Sequence, residues 1–149
     1  MRVAVTGATG FLGRYIVNQL LSEGYECRCW YRPGHSDRGG YYANQEMEID
    51  WIPGDLSDPD SIDPLVKRSD AVVHAALARE GAGFAGAEGD LPAFVEKNVL
   101  GTLRLIEAAI ARTVPRFVFI SSCAVHDVIL DDRLLDEAHP CWAKSHYGA

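Results

Sequence analysis

The sequence predicts an α/β fold, a parallel sheet doubly wound by helices, and three observations predict it. Short β-branched or apolar runs alternate with stretches of helical periodicity from one end of the chain to the other. The first run is β-branched and the fifth apolar, as strands buried on both faces are. A glycine string, Thr6-Gly7-Ala8-Thr9-Gly10-Phe11-Leu12-Gly13, joins the first strand directly to the first helix.

Residues 1–5 (Met1-Arg2-Val3-Ala4-Val5) read as the first strand. After the glycines, Phe11, Leu12, Tyr15, Ile16, Leu20 and Leu21 recur at helical spacing, and Gly24 stops that helix. Residues 26–31 form the second strand, closed by the turn Arg32-Pro33-Gly34, and Cys27 and Cys29 share one of its sides. Residues 34–46 are a polar, Gly-rich surface loop in which Arg38 is a surface residue. Residues 48–52 alternate as a third strand, and Pro53-Gly54 ends it. Ser57 or Asp58 then caps a short helix over 59–68 carrying Ile62, Leu65 and Val66.

Residues 70–76 are the fourth strand and its exit, where Ala75 and Ala76 leave room against the backbone. His74 at the strand end reads as hydrogen-bonded structure and not as a proton shuttle. Residues 79–90 suit a loop that orders on binding. Residues 91–112 predict one long helix with Pro92 at its start and a stripe of Phe94, Val95, Val99, Leu103, Ile106 and Ile110. Gly101 costs about 1 kcal/mol inside a helix, which points to close packing against a strand. Residues 115–122 are a fifth, apolar strand ending in Ser121 and Ser122. The sheet order that follows is 3-2-1-4-5.

In such sheets ligands bind beyond the carboxyl ends of the strands. The glycine turn, Arg32, Asp55, Ala75 and Ser122 all fall on that edge. Gly7 allows the tight turn, Gly10 the approach of a pyrophosphate and Gly13 close helix packing. The helix-start N–H groups and dipole favour an anion there. The end of the second strand meets the adenosine ribose in dinucleotide folds, where an acid holds two hydroxyls and an arginine a 2′-phosphate. No acid stands at Trp30, Tyr31 or Arg32, so NADP is favoured over NAD.

The Gly-x-x-Gly-x-x-Gly string after Thr6 resembles the extended branch of the short-chain dehydrogenase/reductase superfamily, the NAD(P)-dependent epimerases, dehydratases and reductases on a Rossmann-type fold. Tyr31 stands where NAD-preferring relatives carry an aspartate. The resemblance implies that Gly7, Thr9, Gly10, Phe11, Leu12 and Gly13 bind the cofactor. Gly54-Asp55-Leu56 resembles the adenine-binding signature, with Asp55 near the exocyclic amine and Leu56 on the ring. Val72-Val73-His74-Ala75-Ala76 is similar to the fourth-strand motif that lies along the cofactor. Asn98-Val99-Leu100-Gly101-Thr102 is similar to Asn-x-x-Gly-Thr, whose asparagine holds backbone near the active site.

Ser121-Ser122-Cys123-Ala124-Val125-His126 resembles Ser-Ser-x-x-x-Tyr, with His126 in place of the tyrosine. The resemblance makes Ser122 the catalytic serine, with Ser121 second to it. Tyr147, 25 residues on, becomes the tyrosine that carries the substrate oxygen's proton. The family's Tyr-x-x-x-Lys lysine falls past Ala149, and Lys144 is no substitute. The resemblance therefore implies residues 1–149 as a cofactor domain truncated before the substrate region, and inactive alone. The parent reaction is hydride transfer on a sugar nucleotide or small carbonyl. The alternative is a non-catalytic dinucleotide sensor or interaction module.

The 149 residues are one domain by length, 48% apolar and 23% charged, with a formal net charge of −7. That charge argues against nucleic acid or an anionic membrane as partner. The small-molecule substrate and a homodimer remain as partners, and no signal or membrane segment is expected. The four cysteines have no metal spacing and read as reduced thiols of a cytoplasmic protein.

Overall fold

The computed structural model describes residues 1–34, 49–79, 89–126, 129, 132 and 134–149. Most of the loop expected over 34–46, with Arg38, lies outside them, as do most of the 79–90 loop and the start of the expected third strand. The chain divides into two compact units. One comprises Met1–Ala78 and Val95–Ile120, the other Arg79–Phe94 and Ser121–Ala149.

The first unit is a five-stranded parallel sheet of β1 (Arg2–Thr6), β2 (Glu26–Tyr31), β3 (Asp50–Pro53), β4 (Ala71–His74) and β5 (Phe117–Phe119). Its order is β3-β2-β1-β4-β5, as the alternation of strands and helices predicts. β1 is central and feeds both layers of core. Val3 and Val5 join Cys27, Cys29, Val17 and Leu21 on the face covered by α1 (Phe11–Ser22). Ala4 joins Trp30, Leu65, Val72, Leu105 and Ala109 on the opposite face. That face is covered by α2 (Ile62–Val66) and by α4 (Gly101–Ala111). Four residues, α3 (Leu91–Phe94), and a π-helical turn, Val95–Leu100, precede α4.

α1 ends with the Gly24 N–H on the Leu21 oxygen and the Tyr25 N–H on the Leu20 oxygen, with Gly24 at φ +78°. α4 ends the same way, except that Thr113 takes the left-handed position at φ 54°. Asp58 caps the 3₁₀ turn Pro59–Ser61 by accepting from the Asp60 N–H.

Several expectations change. α1 buries Gly13, Val17 and Leu21, whereas Phe11, Leu12 and Tyr15 are exposed. The helix over 91–112 is interrupted by the π turn, and its last part buries Gly101, Leu105 and Ala109. Val95, Val99, Leu103 and Ile110 are exposed instead. In both helices a glycine gives the closest approach, so the buried row runs through it and not through the bulkiest side chains. Gly101 packs not on a strand but on the loop after β3, where an added Cβ would stand 2.6 Å from the Leu56 oxygen. β3 covers Asp50–Pro53 against the expected 48–52, and β5 covers Phe117–Phe119 against the expected 115–122.

Candidate functional site

The turn after β1 is built by close approach of two backbones. Gly7 sits at φ +70°, and a Cβ there would meet the Ala75 carbonyl carbon at 2.6 Å and the Ala76 nitrogen at 2.7 Å. Thr6 closes the same junction, its Oγ1 accepting from the N–H groups of Ala75 (3.2 Å) and Ala76 (3.1 Å). The Gly10 N–H then turns back to the Gly7 oxygen at 2.9 Å. A Cβ on Gly13 would overlap the Gly7 carbonyl, which fixes how the helix enters.

Gly10 is the N-cap of α1 and offers no side-chain cap, and the first turn has no acidic residue. The first intrahelical bond in this turn runs from Arg14 N–H to the Gly10 oxygen. The amides of Phe11, Leu12 and Gly13 therefore lie ahead of the helical ladder, as first-turn donors do. A turn with glycine at both ends, first-turn donors without a capping side chain and a helix dipole fit the diphosphate of a dinucleotide. Thr9 is half-buried beside them and Gly10 is exposed.

His74 lies at the end of β4, 1% exposed, between two threonines. Its Nδ1 is 2.6 Å from Thr6 Oγ1 and its Nε2 is 2.8 Å from Thr102 Oγ1. Thr6 already accepts from two amides, so its hydroxyl hydrogen goes to Nδ1. Nε2–H then donates to Thr102, whose hydroxyl donates to the Asn98 carbonyl. Burial brings the imidazole down to about 4 from 6.5, so it stays neutral. Asn98 uses its side chain on Ala78, accepting from its N–H at 2.7 Å and donating to its oxygen at 3.0 Å.

At the other end of the strand edge, Arg32 follows β2 and is exposed. Asp55 follows β3 and accepts from the Ser57 N–H (2.7 Å) and Oγ (2.5 Å). Burial pushes the Asp55 carboxyl up. The two Ser57 bonds and the charges of Arg32 and Lys97 outweigh it and hold the group below its ordinary value. Arg32, Asp55 and Lys97 are thus one electrostatic neighbourhood. Leu56 is buried in the core with Trp30 and Leu105.

The second unit carries the remaining candidates. Ser121 is exposed and Ser122 half-buried, with Ser122 Oγ accepting from the Ala124 N–H at 3.2 Å. An open cavity of about 500 Å³ is lined by Ser122, Cys123, His126, Asp136 and Glu137 among others. His126 places Nδ1 3.2 Å from the Pro140 oxygen and its ring beside His139. Tyr147 is half-buried, and the guanidinium of Arg79 stands 4.5 Å from its ring centre. Lys144 is exposed.

Two features have no sequence signal of the usual kind. The Thr6–His74–Thr102 chain joins residues far apart in sequence, and a threonine before a glycine turn is its one visible hint. The Arg79–Tyr147 contact joins a loop to the chain's end with no periodicity behind it. Among the described residues no cluster of His, Cys, Asp and Glu could hold a metal ion. No helix among them is long and apolar enough to cross a membrane. Cys27, Cys29, Cys123 and Cys141 are free thiols, and burial pushes Cys27 up to about 11.

A model of the NAD-dependent epimerase/dehydratase family matches residues 3–149. A 2-alkyl-3-oxoalkanoate reductase of Stenotrophomonas maltophilia is 34% identical over 125 residues, 84% of this chain and 34% of that protein. A photosystem II assembly factor of Guillardia theta is 35% identical over 121 residues, 81% of this chain and 35% of that protein. The crystal structure of a Thermus thermophilus UDP-glucose 4-epimerase complex with NAD superposes with a TM-score of 0.80 at 27% identity, over 99% of this chain and 46% of that one. The chain spans about a third of the length of these two curated relatives.

Proposed function

The chain belongs to the NAD-dependent epimerase/dehydratase family, and from this we propose that it is the nicotinamide-dinucleotide-binding domain of an oxidoreductase or epimerase. The observation that carries the reading is the Gly7 turn, packed on the Ala75–Ala76 backbone and followed by a helix start free of acidic and capping side chains. Gly7, Thr9, Gly10, Phe11, Leu12 and Gly13 hold the diphosphate. Ala75 and Ala76 give the cofactor a flat strip of backbone, and Asn98 keeps Ala78 in place. Asp55 forms the adenine end, whereas Leu56, expected on the ring, is buried in the core with Trp30 and Leu105. Arg32 receives a 2′-phosphate, so NADP binds in preference to NAD.

The cofactor supplies a hydride acceptor or donor. Ser122 holds the substrate oxygen by a hydrogen bond, and Tyr147 gives or takes that oxygen's proton. The substrate is a sugar nucleotide or a small carbonyl compound. The exposed row Val99, Leu103 and Ile110 supports a homodimer, and four free thiols support a cytoplasmic location. Titration with NADPH and NADH, followed through Trp30 and Trp51, tests the reading. Saturable quenching, stronger with NADPH, is expected; no binding of either overturns it.

A second reading, a non-catalytic dinucleotide sensor or interaction module, is favoured by the likeness to an assembly factor at 35% identity. Retention of Ser122 and Tyr147 at a 25-residue offset favours the enzyme. Hydride transfer that fails in both Ser122→Ala and Tyr147→Phe variants of the full-length protein separates the two.

A further inference from the structure

We propose that Arg79 is a positioning residue for Tyr147, holding the phenol by its ring face so that the hydroxyl is presented in one orientation. The inference rests on the catalytic role proposed for Tyr147. The guanidinium carbon of Arg79 lies 4.5 Å from the ring centre, inside the distance at which a cation is attracted to an aromatic face. Both residues belong to the second unit and both are half-buried, so the contact is partly shielded from water.

A guanidinium is planar and stacks on a ring, whereas an ammonium approaches it as a point charge. A guanidinium held over the ring face restricts rotation of the ring about its long axis and its swing out of the site. The contact engages the ring face and not the hydroxyl at its edge. Lys144, three residues before Tyr147 in sequence, is exposed and does not offer a comparable seat. No rule of strand or helix spacing joins position 79 to position 147. Only the fold of this unit does.

The test uses the full-length protein labelled with 3-fluorotyrosine, with the Tyr147 resonance assigned by its loss in Tyr147→Phe. Arg79→Gln is expected to move that resonance towards the solvent-exposed position and to lower kcat about tenfold with little change in the KM for cofactor. Arg79→Lys, which keeps the charge without the plane, is expected to recover part of both effects. An unmoved resonance in Arg79→Gln overturns the proposal, as does an unchanged kcat when Tyr147→Phe is inactive. If Tyr147→Phe keeps full turnover, the catalytic role of Tyr147 falls and the role of Arg79 with it. A moved resonance in Arg79→Gln would then still establish the contact.

Discussion

The α-carbon of Gly7 lies so close to the carbonyl of Ala75 that an added methyl group would stand 2.6 Å from its carbon. Two strands, β1 and β4, therefore leave the sheet in contact, and the backbone of one is the wall of the other's turn. Nothing on either side of this contact is a flexible side chain that can move aside. The left-handed φ of +70° adds a second reason for glycine here. Gly7→Ala is expected to cost about 2–4 kcal/mol, from the left-handed conformation and the overlap together. It should also abolish dinucleotide binding. A urea midpoint equal to wild type, or retained NADPH quenching, would show that the turn relaxes.

Thr113 occupies the position after α4 that Gly24 occupies after α1, with the same two backbone bonds closing the helix. A β-branched residue at φ 54° is strained where glycine is not. Thr113→Gly is expected to stabilise the protein by about 1 kcal/mol. Chemical denaturation measures it. A lower midpoint would mean that the threonine side chain contributes more than its backbone costs.

His74 gives stability a pH dependence. Its folded value of about 4 lies below the ordinary 6.5, so the unfolded chain binds the extra proton first. Stability from this group is complete above pH 6.5 and falls by about 1.4 kcal/mol per pH unit on the way down to pH 4, where the loss levels off. Asp55 is also depressed, but it titrates below the ordinary 3.8 and so outside this window. Protonation would take Nδ1 away from the Thr6 hydroxyl and with it the link to Ala75 and Ala76. Unfolding free energy measured between pH 4 and 7 should slope upward in the wild type. His74→Asn should flatten that slope, and an unchanged slope would place the dependence elsewhere.

Much of the sheet was legible because short runs bounded by Gly and Pro turn signals alternate with stretches of helical periodicity. β2 occupies Glu26–Tyr31, the residues between the Gly24 break and the Arg32-Pro33-Gly34 turn, and the strand order follows from the alternation alone. The helix faces were harder. Counting Leu, Ile and Val selected Val99, Leu103 and Ile110, yet the buried row of α4 is Gly101, Leu105 and Ala109. Small residues mark the closest approach, and a hydrophobic count gives them little weight. In the site, the glycine turn was legible because its chemistry is local. Arg79 was not, because its partner Tyr147 is brought to it only by the fold.

The exposed row itself carries a prediction. Leu103 is 52% and Ile110 70% exposed on one side of α4, an apolar stripe that water disfavours. The chain is expected to self-associate with rising concentration. Leu103→Glu with Ile110→Glu is expected to keep it monomeric with its cofactor affinity unchanged. Analytical ultracentrifugation decides it. A wild-type chain that stays monomeric throughout would leave the stripe without this role.

In the proposed function Arg32 is the residue that separates the two dinucleotides. Its charge reaches Asp55, so a phosphate arriving beside Arg32 must compete with a carboxylate already in the neighbourhood. Lys97 acts on the same carboxylate and relieves part of that competition. A charge-assisted hydrogen bond contributes about 1.5–3 kcal/mol, or roughly 10- to 150-fold in affinity. Arg32→Gln is therefore expected to weaken NADPH by that range and NADH by less than threefold. Asp55→Asn would remove the competing charge and strengthen NADPH if adenine did not also need the carboxylate. The two effects separate by salt, because the Arg32 contribution is partly screened as ionic strength rises whereas a hydrogen bond to adenine is not. Equal losses for both cofactors in Arg32→Gln would show that the guanidinium does not read the 2′-phosphate.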